Sequence, residues 1–126
     1  MTDETKTCER KKGKILVIED SIDVREVIGA ILELEGYEIL FAENGEIAMR
    51  ILHSGENPNL ILLDLRMPVL DGEHFLRLFR EENPNHIPVV TMSAGKPPVE
   101  VIAECDEFLA KPMDLETLCQ TVKRYA

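Results

Sequence analysis

The feature that most constrains this chain is a set of short apolar runs that do not alternate. "KILVIED" (14–20), "LILLDL" (60–65) and "IPVVTMS" (87–93) carry apolar residues at successive positions rather than at every second one. A strand with one wet face reads apolar and polar in turn, so a run without that rhythm belongs to a strand buried on both sides. Parallel sheets covered by helices bury strands in this way, and each parallel connection needs a crossover of about a dozen residues or more. The segments between the runs suit such crossovers. Ser21 can cap a helix that carries Val24, Val27, Ile28, Ile31 and Leu32 at helical intervals, and Gly36 can close it. "YEILFA" (37–42) is a further strand, and Asn44 caps a helix with Ile47, Ala48, Ile51 and Leu52 on one side. After the turn "SGENPN" and the strand "LILLDL", Asp71 and Gly72 lead into a helix with Phe75, Leu78 and Phe79 on one face.

The strand "IPVVTMS" carries its proline at the first positions, where a missing N–H is tolerated. Beyond "AGKPP" only a short helix fits, roughly 98–104, before "DEFLA" as a fifth strand; Asp114 then caps a last helix with Leu115, Leu118, Val122 and Tyr125 at helical spacing. Five strand–helix pairs in alternation predict a single α/β domain, a doubly wound five-stranded parallel sheet with helices on both faces and the fourth helix shortened. The domain is expected over 14–126. Residues 1–13 lack periodicity and read as a polar tail, with Arg10, Lys11, Lys12 and Lys14 as a solvated lead-in to the first strand.

Charge and composition exclude several functions. A chain of 126 residues suits one domain with its own core. The 24 acidic against 14 basic residues give a net charge of −10, which opposes binding to nucleic-acid phosphates and to anionic membrane surfaces. Neither nucleic acid nor membrane is an expected partner. No apolar run is long enough to cross a bilayer and the N-terminus is polar, so a cytoplasmic location is expected. Cys8, Cys105 and Cys119 are odd in number and lack the paired short spacings of a zinc site, which leaves them as packing or surface thiols.

In an open parallel sheet, groups at the carboxyl ends of the strands gather at one edge, in the crevice where the strand order reverses. The first strand puts Glu19 and Asp20 there, the third Asp64 and the fourth Ser93, and the fifth is followed by Lys111 and Pro112. Three carboxylates a few ångströms apart repel one another unless a counterion joins them. Oxygen ligands with positions left for water suit Mg²⁺, and no His or Cys is placed to make a softer site. Three carboxylates, Mg²⁺ and Lys111 sum to zero charge, so the pocket can accept a phosphoryl group. Asp64 is then the nucleophile, with Mg²⁺ and Lys111 neutralising the equatorial oxygens and with Ser93 and a backbone N–H after Asp64 supplying hydrogen bonds. Taken singly, Asp64 could be a turn former, Ser93 a strand-end cap and Lys111 a solvated lysine; their conjunction at the ends of the right strands points to the site. His53, His74 and His86 lie away from these strand ends and receive no role.

The quoted residues closely resemble the receiver domain of two-component response regulators over residues 14–125. The signs are "VIED" for the acidic pair, "LLDLRMPVLDG" around the phosphoacceptor, "TMSAG" for the hydroxyl strand and "FLAKP" for the lysine and its proline. The resemblance implies a flavodoxin-like strand order of 2-1-3-4-5. It makes Asp64 the phosphorylated residue, Glu19 and Asp20 the metal acids, and the backbone carbonyl of Arg66 a further Mg²⁺ ligand. Ser93 becomes the switch hydroxyl, Phe108 the switch aromatic and Lys111 the phosphate partner, with the Lys111–Pro112 bond cis. Phe108 alone would read as core, since an aromatic on a short strand usually packs there.

The implied partners are a histidine kinase or phosphotransfer protein and an output protein, with a homodimer as a further option. Ser93 and Lys111 are 18 positions apart, roughly one helical turn fewer than in many receivers, which is a second reason to expect a shortened fourth helix. Pro97 and Pro98 at its start add to that expectation and put the family's commonest dimer surface in question. Such a chain is a signalling phosphoacceptor rather than an enzyme, supporting only its own phosphotransfer and autodephosphorylation. A pseudo-receiver that binds partners without phosphorylation would be expected to lack one of the acids or Lys111. A phosphatase with an aspartyl nucleophile would usually carry a second acid two residues on, where this chain has Arg66.

Overall fold

A computed structural model describes residues 13–65, 72–82, 87–94, 99, 103, 105–112 and 114–126. Its strands are β1 (Lys14–Ile18), β2 (Glu38–Ala42), β3 (Leu60–Asp64), β4 (Val89–Ser93) and β5 (Glu107–Ala110). They form one sheet in the order β2-β1-β3-β4-β5, with every neighbouring pair parallel. Among the described residues the longer helices are α1 (Ile22–Leu34), α2 (Gly45–His53), α3 (Gly72–Glu82) and α4 (Leu115–Tyr125). None is long and apolar enough to cross a membrane. The tail over 1–12, Asp71, the carbonyl of Arg66 and most of the short helix expected at 98–104 lie outside the described residues; Val99 and Ala103 are helical.

The unbroken apolar runs are explained by what covers each face. Leu16 and Ile18 of β1, with Ile61 and Leu63 of β3, pack with Ala48 and Met49 of α2 and Phe75, Leu76 and Phe79 of α3. The alternate residues Ile15, Val17, Leu60 and Leu62 pack with Ile28 and Leu32 of α1 and Leu118 and Val122 of α4. All five residues of β3 and of β4 are buried, so the two strands that present Asp64 and Ser93 are held from both sides.

The helix starts follow from capping chemistry. Ser21 Oγ accepts from the Val24 N–H at 3.3 Å, Asn44 Oδ1 from Ile47 at 2.8 Å and Asp114 Oδ1 from Thr117 at 2.7 Å. At the end of α1, Gly36 has φ of 103° and the Tyr37 N–H reaches back to the Leu32 carbonyl at 3.1 Å, which turns the chain directly into β2.

Three apolar positions depart from the expected buried faces. On α3, Leu78 is exposed and Leu76 is buried in its place. At about 100° per residue, Gly72, Phe75, Leu76 and Phe79 fall in one stripe and Leu78 lies beyond its edge. Val27 and Leu115 are each 55% exposed, because they border an apolar groove of about 490 Å³ between α1 and α4 rather than the core beneath it.

The amino ends of β4 and β5 are tied by one carboxylate. Asp106 Oδ2 accepts from the Val89 N–H at 2.8 Å and from Arg80 Nη2 at 2.9 Å, while Arg80 Nη1 donates to the Ile87 carbonyl at 2.9 Å. This half-buried cluster fixes the end of the sheet opposite the acidic edge. Asp106→Ala, which removes the acceptor of a buried N–H and the partner of the guanidinium, is expected to cost about 2 kcal/mol of stability. Urea denaturation checks this, with Asp106→Asn expected to lose less because it keeps an acceptor.

Candidate functional site

Each side chain of the acidic edge is placed by a neighbouring backbone contact. Glu19 follows β1 directly; its N–H donates to the Ala42 carbonyl at 3.0 Å and its Oε2 accepts from the Ser21 N–H at 3.2 Å. Asp64 is the last residue of β3, 3% exposed, and the next N–H, of Leu65, donates to the Met92 carbonyl at 3.1 Å. Ser93 ends β4 and its carbonyl accepts from the Lys111 N–H at 2.8 Å, so the hydroxyl and the ammonium share one backbone link. The Lys111–Pro112 peptide is cis.

The structure brings the three acids together. Carboxylate oxygens of Glu19, Asp20 and Asp64 lie within 4.8 Å of one another, with Glu19 and Asp64 buried and Asp20 exposed. Lys111 Nζ stands 3.4 Å from both Glu19 Oε1 and Asp64 Oδ2. Phe108, on β5 one residue before buried Leu109, pairs in register with Thr91 of β4 and is itself half-buried.

One ammonium does not balance three carboxylates in so closed a place. Burial first, and then the charge of Asp64, raise the Glu19 pKa to about 7, against the opposing pull of Lys111 and of the Ser21 N–H. A hydrogen bond with Asp64 also favours the protonated form. A group of hard oxygen donors that repel one another so strongly fits a divalent cation such as Mg²⁺, with Glu19, Asp20 and Asp64 as the protein ligands among the described residues.

Two residues that shape this edge were not singled out from the sequence. Gly72 opens α3 against the end of β3, where an added Cβ would lie 2.6 Å from Leu65 Cα and 2.9 Å from the Asp64 carbonyl oxygen. In the sequence it reads only as half of an Asp-Gly turn signal. Arg25 reaches back from α1 to donate to the Glu19 carbonyl at 2.9 Å. Its one sequence signal is a cation near a helix N-terminus, where the macrodipole disfavours it.

Comparison with known proteins identifies the family and the fold. The chain matches the response regulator receiver domain over residues 15–123 and belongs to that family. It is 30% identical over 117 residues to sporulation initiation phosphotransferase F of Bacillus subtilis, covering 89% of this chain and 92% of that protein. It is 34% identical over 114 residues to the probable transcriptional regulator ycf27 of Cyanophora paradoxa, covering 87% of this chain and 46% of that regulator. The chain thus spans about half the length of the ycf27 regulators. Among solved structures, response regulator TrrA of Thermotoga maritima in complex with Mg²⁺–BeF superposes with a TM-score of 0.81 at 30% identity, over 93% of this chain and all of that one.

The raised Glu19 pKa has a definite sign for stability. Its carboxyl titrates near 4.5 when unperturbed and near 7 in the folded, metal-free protein, so between these values the folded state binds more protons than the unfolded one. The contribution of this group is therefore most favourable below pH 4.5 and is lost as the pH rises toward 7. In chelator, Glu19→Gln is expected to raise Tm by roughly 3–8 °C at pH 8 and by little at pH 5. Thermal denaturation at the two pH values checks it; an equal gain at both would assign the effect to packing instead.

Proposed function

We propose that this receiver domain is a phosphoacceptor switch in a two-component phosphorelay, with Asp64 as the residue that takes the phosphoryl group. The observation that carries the reading is the Asp64 carboxylate itself, buried at a central strand end, 3.4 Å from the Lys111 ammonium and grouped with two further acids. A bare turn former has no need of that company.

In this reading the donor is a phosphohistidine of a histidine kinase or phosphotransfer protein. A carboxylate oxygen of Asp64 attacks phosphorus, the P–N bond breaks, its electron pair goes to the imidazole nitrogen, and an acyl phosphate remains on the protein. Water later cleaves the acyl phosphate to inorganic phosphate and free Asp64. Glu19, Asp20, Asp64 and the carbonyl of Arg66 would hold Mg²⁺, which would supply neutralising charge at the phosphoryl oxygens. The similarity to TrrA, whose structure holds Mg²⁺–BeF, supports that ion.

The phosphoryl group adds about two negative charges. Lys111 then exchanges its carboxylate contacts for phosphoryl oxygens, and the Ser93 hydroxyl donates to one of them. Because the Lys111 N–H is bonded to the Ser93 carbonyl, the ends of β4 and β5 respond together. Phe108, half-buried on β5, changes its packing with them and alters the surface offered to an output protein or to a second copy.

The test is intact-mass analysis after incubation with a small acyl phosphate. A gain of one phosphoryl group is expected with Mg²⁺ on the wild-type chain, and none in chelator or on Asp64→Asn. No adduct on the wild type, even after rapid quench, would favour a pseudo-receiver that binds partners independently of phosphorylation.

A further inference from the structure

We propose that Arg25 is a positioning residue for the acidic pair, setting the orientation of Asp20 relative to Glu19 and thereby the affinity of the site for a divalent cation. The inference rests on the reading of Glu19, Asp20 and Asp64 as a cation site.

Glu19 is fixed at most of its polar atoms. Its N–H is tied to the Ala42 carbonyl at 3.0 Å, its Oε2 to the Ser21 N–H at 3.2 Å, and its Oε1 faces Lys111 at 3.4 Å. The freedom left in this segment is rotation of the peptide that joins Glu19 to Asp20. Arg25 Nη1 donates to the carbonyl of that same peptide at 2.9 Å, and the Arg25 N–H is itself anchored on the Ser21 carbonyl at 2.9 Å.

A hydrogen bond from a guanidinium is stronger than one between neutral groups, so this contact can hold a peptide plane in a loop. The consequence falls on Asp20. Unlike Glu19 and Asp64, Asp20 is exposed, and its carboxylate joins the other two within 4.8 Å from outside the sheet. Core packing does not hold it there; the Glu19–Asp20 peptide does. Helix energetics give no alternative reason for the arginine, since a cation near the N-terminus of α1 opposes the macrodipole.

Charge and position predict opposite signs. A guanidinium near bound Mg²⁺ repels it, so if charge alone mattered, Arg25→Ala would tighten binding. If Arg25 orients the acids, the same change weakens binding, by about tenfold on the scale typical of groups that orient metal ligands. The experiment is calorimetric titration of the chain with Mg²⁺ alone, for wild type, Arg25→Ala and Arg25→Lys, well below each protein's Tm in chelator.

The expected result is a Kd about tenfold higher in Arg25→Ala and intermediate in Arg25→Lys, which keeps the charge and a donor but not the planar fork. A Kd equal to or below the wild-type value in folded Arg25→Ala overturns the proposal while leaving the cation site intact. Should Arg25→Ala fail to fold, an unchanged Kd in Arg25→Lys overturns it in the same way. A wild-type chain that binds no Mg²⁺ overturns the cation site and this proposal together, a result distinct from either.

Discussion

Glu19 and Asp64 face each other with a single ammonium between them, and much of the domain is arranged to keep that unfavourable contact in place. Two carboxylates out of water at this separation relax if they can, by taking a proton or by moving apart. Movement is denied by the sheet. β3 is buried along its whole length between two helical layers, and the β1 end is pinned through Ala42 and Ser21. Gly72 contributes by omission: with no side chain, it lets α3 close directly on the Asp64 carbonyl. The hydrophobic burial that folds the chain thus also holds the crowded carboxylates together at its polar edge.

The two ends of β4 and β5 are held by different physics. At the amino ends, Asp106 binds Val89 and Arg80 in short, charge-assisted contacts that lock the strands together. At the carboxyl ends, the Lys111 N–H bonds the Ser93 carbonyl, and the Lys111 side chain, 28% exposed, reaches across to Glu19 and Asp64 at 3.4 Å each.

The legibility of the chain followed the strength of each local signal. Unbroken apolar runs announced doubly buried strands, and once the sheet was parallel its carboxyl edge located Glu19, Asp20, Asp64, Ser93 and Lys111 without reference to their neighbours. The order of the strands came from the resemblance to receivers rather than from periodicity, which cannot distinguish one parallel order from another. Helix faces were less secure: Leu78 and Leu76 are two residues apart on α3, and a pattern drawn from three hydrophobic positions placed the stripe too far to one side. Gly72 and Arg25 act through a backbone approach and a side chain reaching back six residues. Such contacts depend on three-dimensional closure, so spacing carries little trace of them.

The three ways of relieving the crowded carboxylates differ in what they leave behind. A proton on Glu19 removes one negative charge but leaves two carboxylates against one ammonium, a pocket with negative charge still in excess. Lys111 shared between Glu19 and Asp64 satisfies both partly, at 3.4 Å each, and is committed while it does so. If the site is filled as proposed, three carboxylates, a divalent cation and the ammonium would sum to zero, with the cation taking most of the balancing charge from Lys111. An anion arriving at Asp64 would then meet a neutral pocket in place of a negative one. In the proposed reading, repulsion among the acids and acceptance of a phosphoryl group are linked, because these charges would balance only with the cation in place.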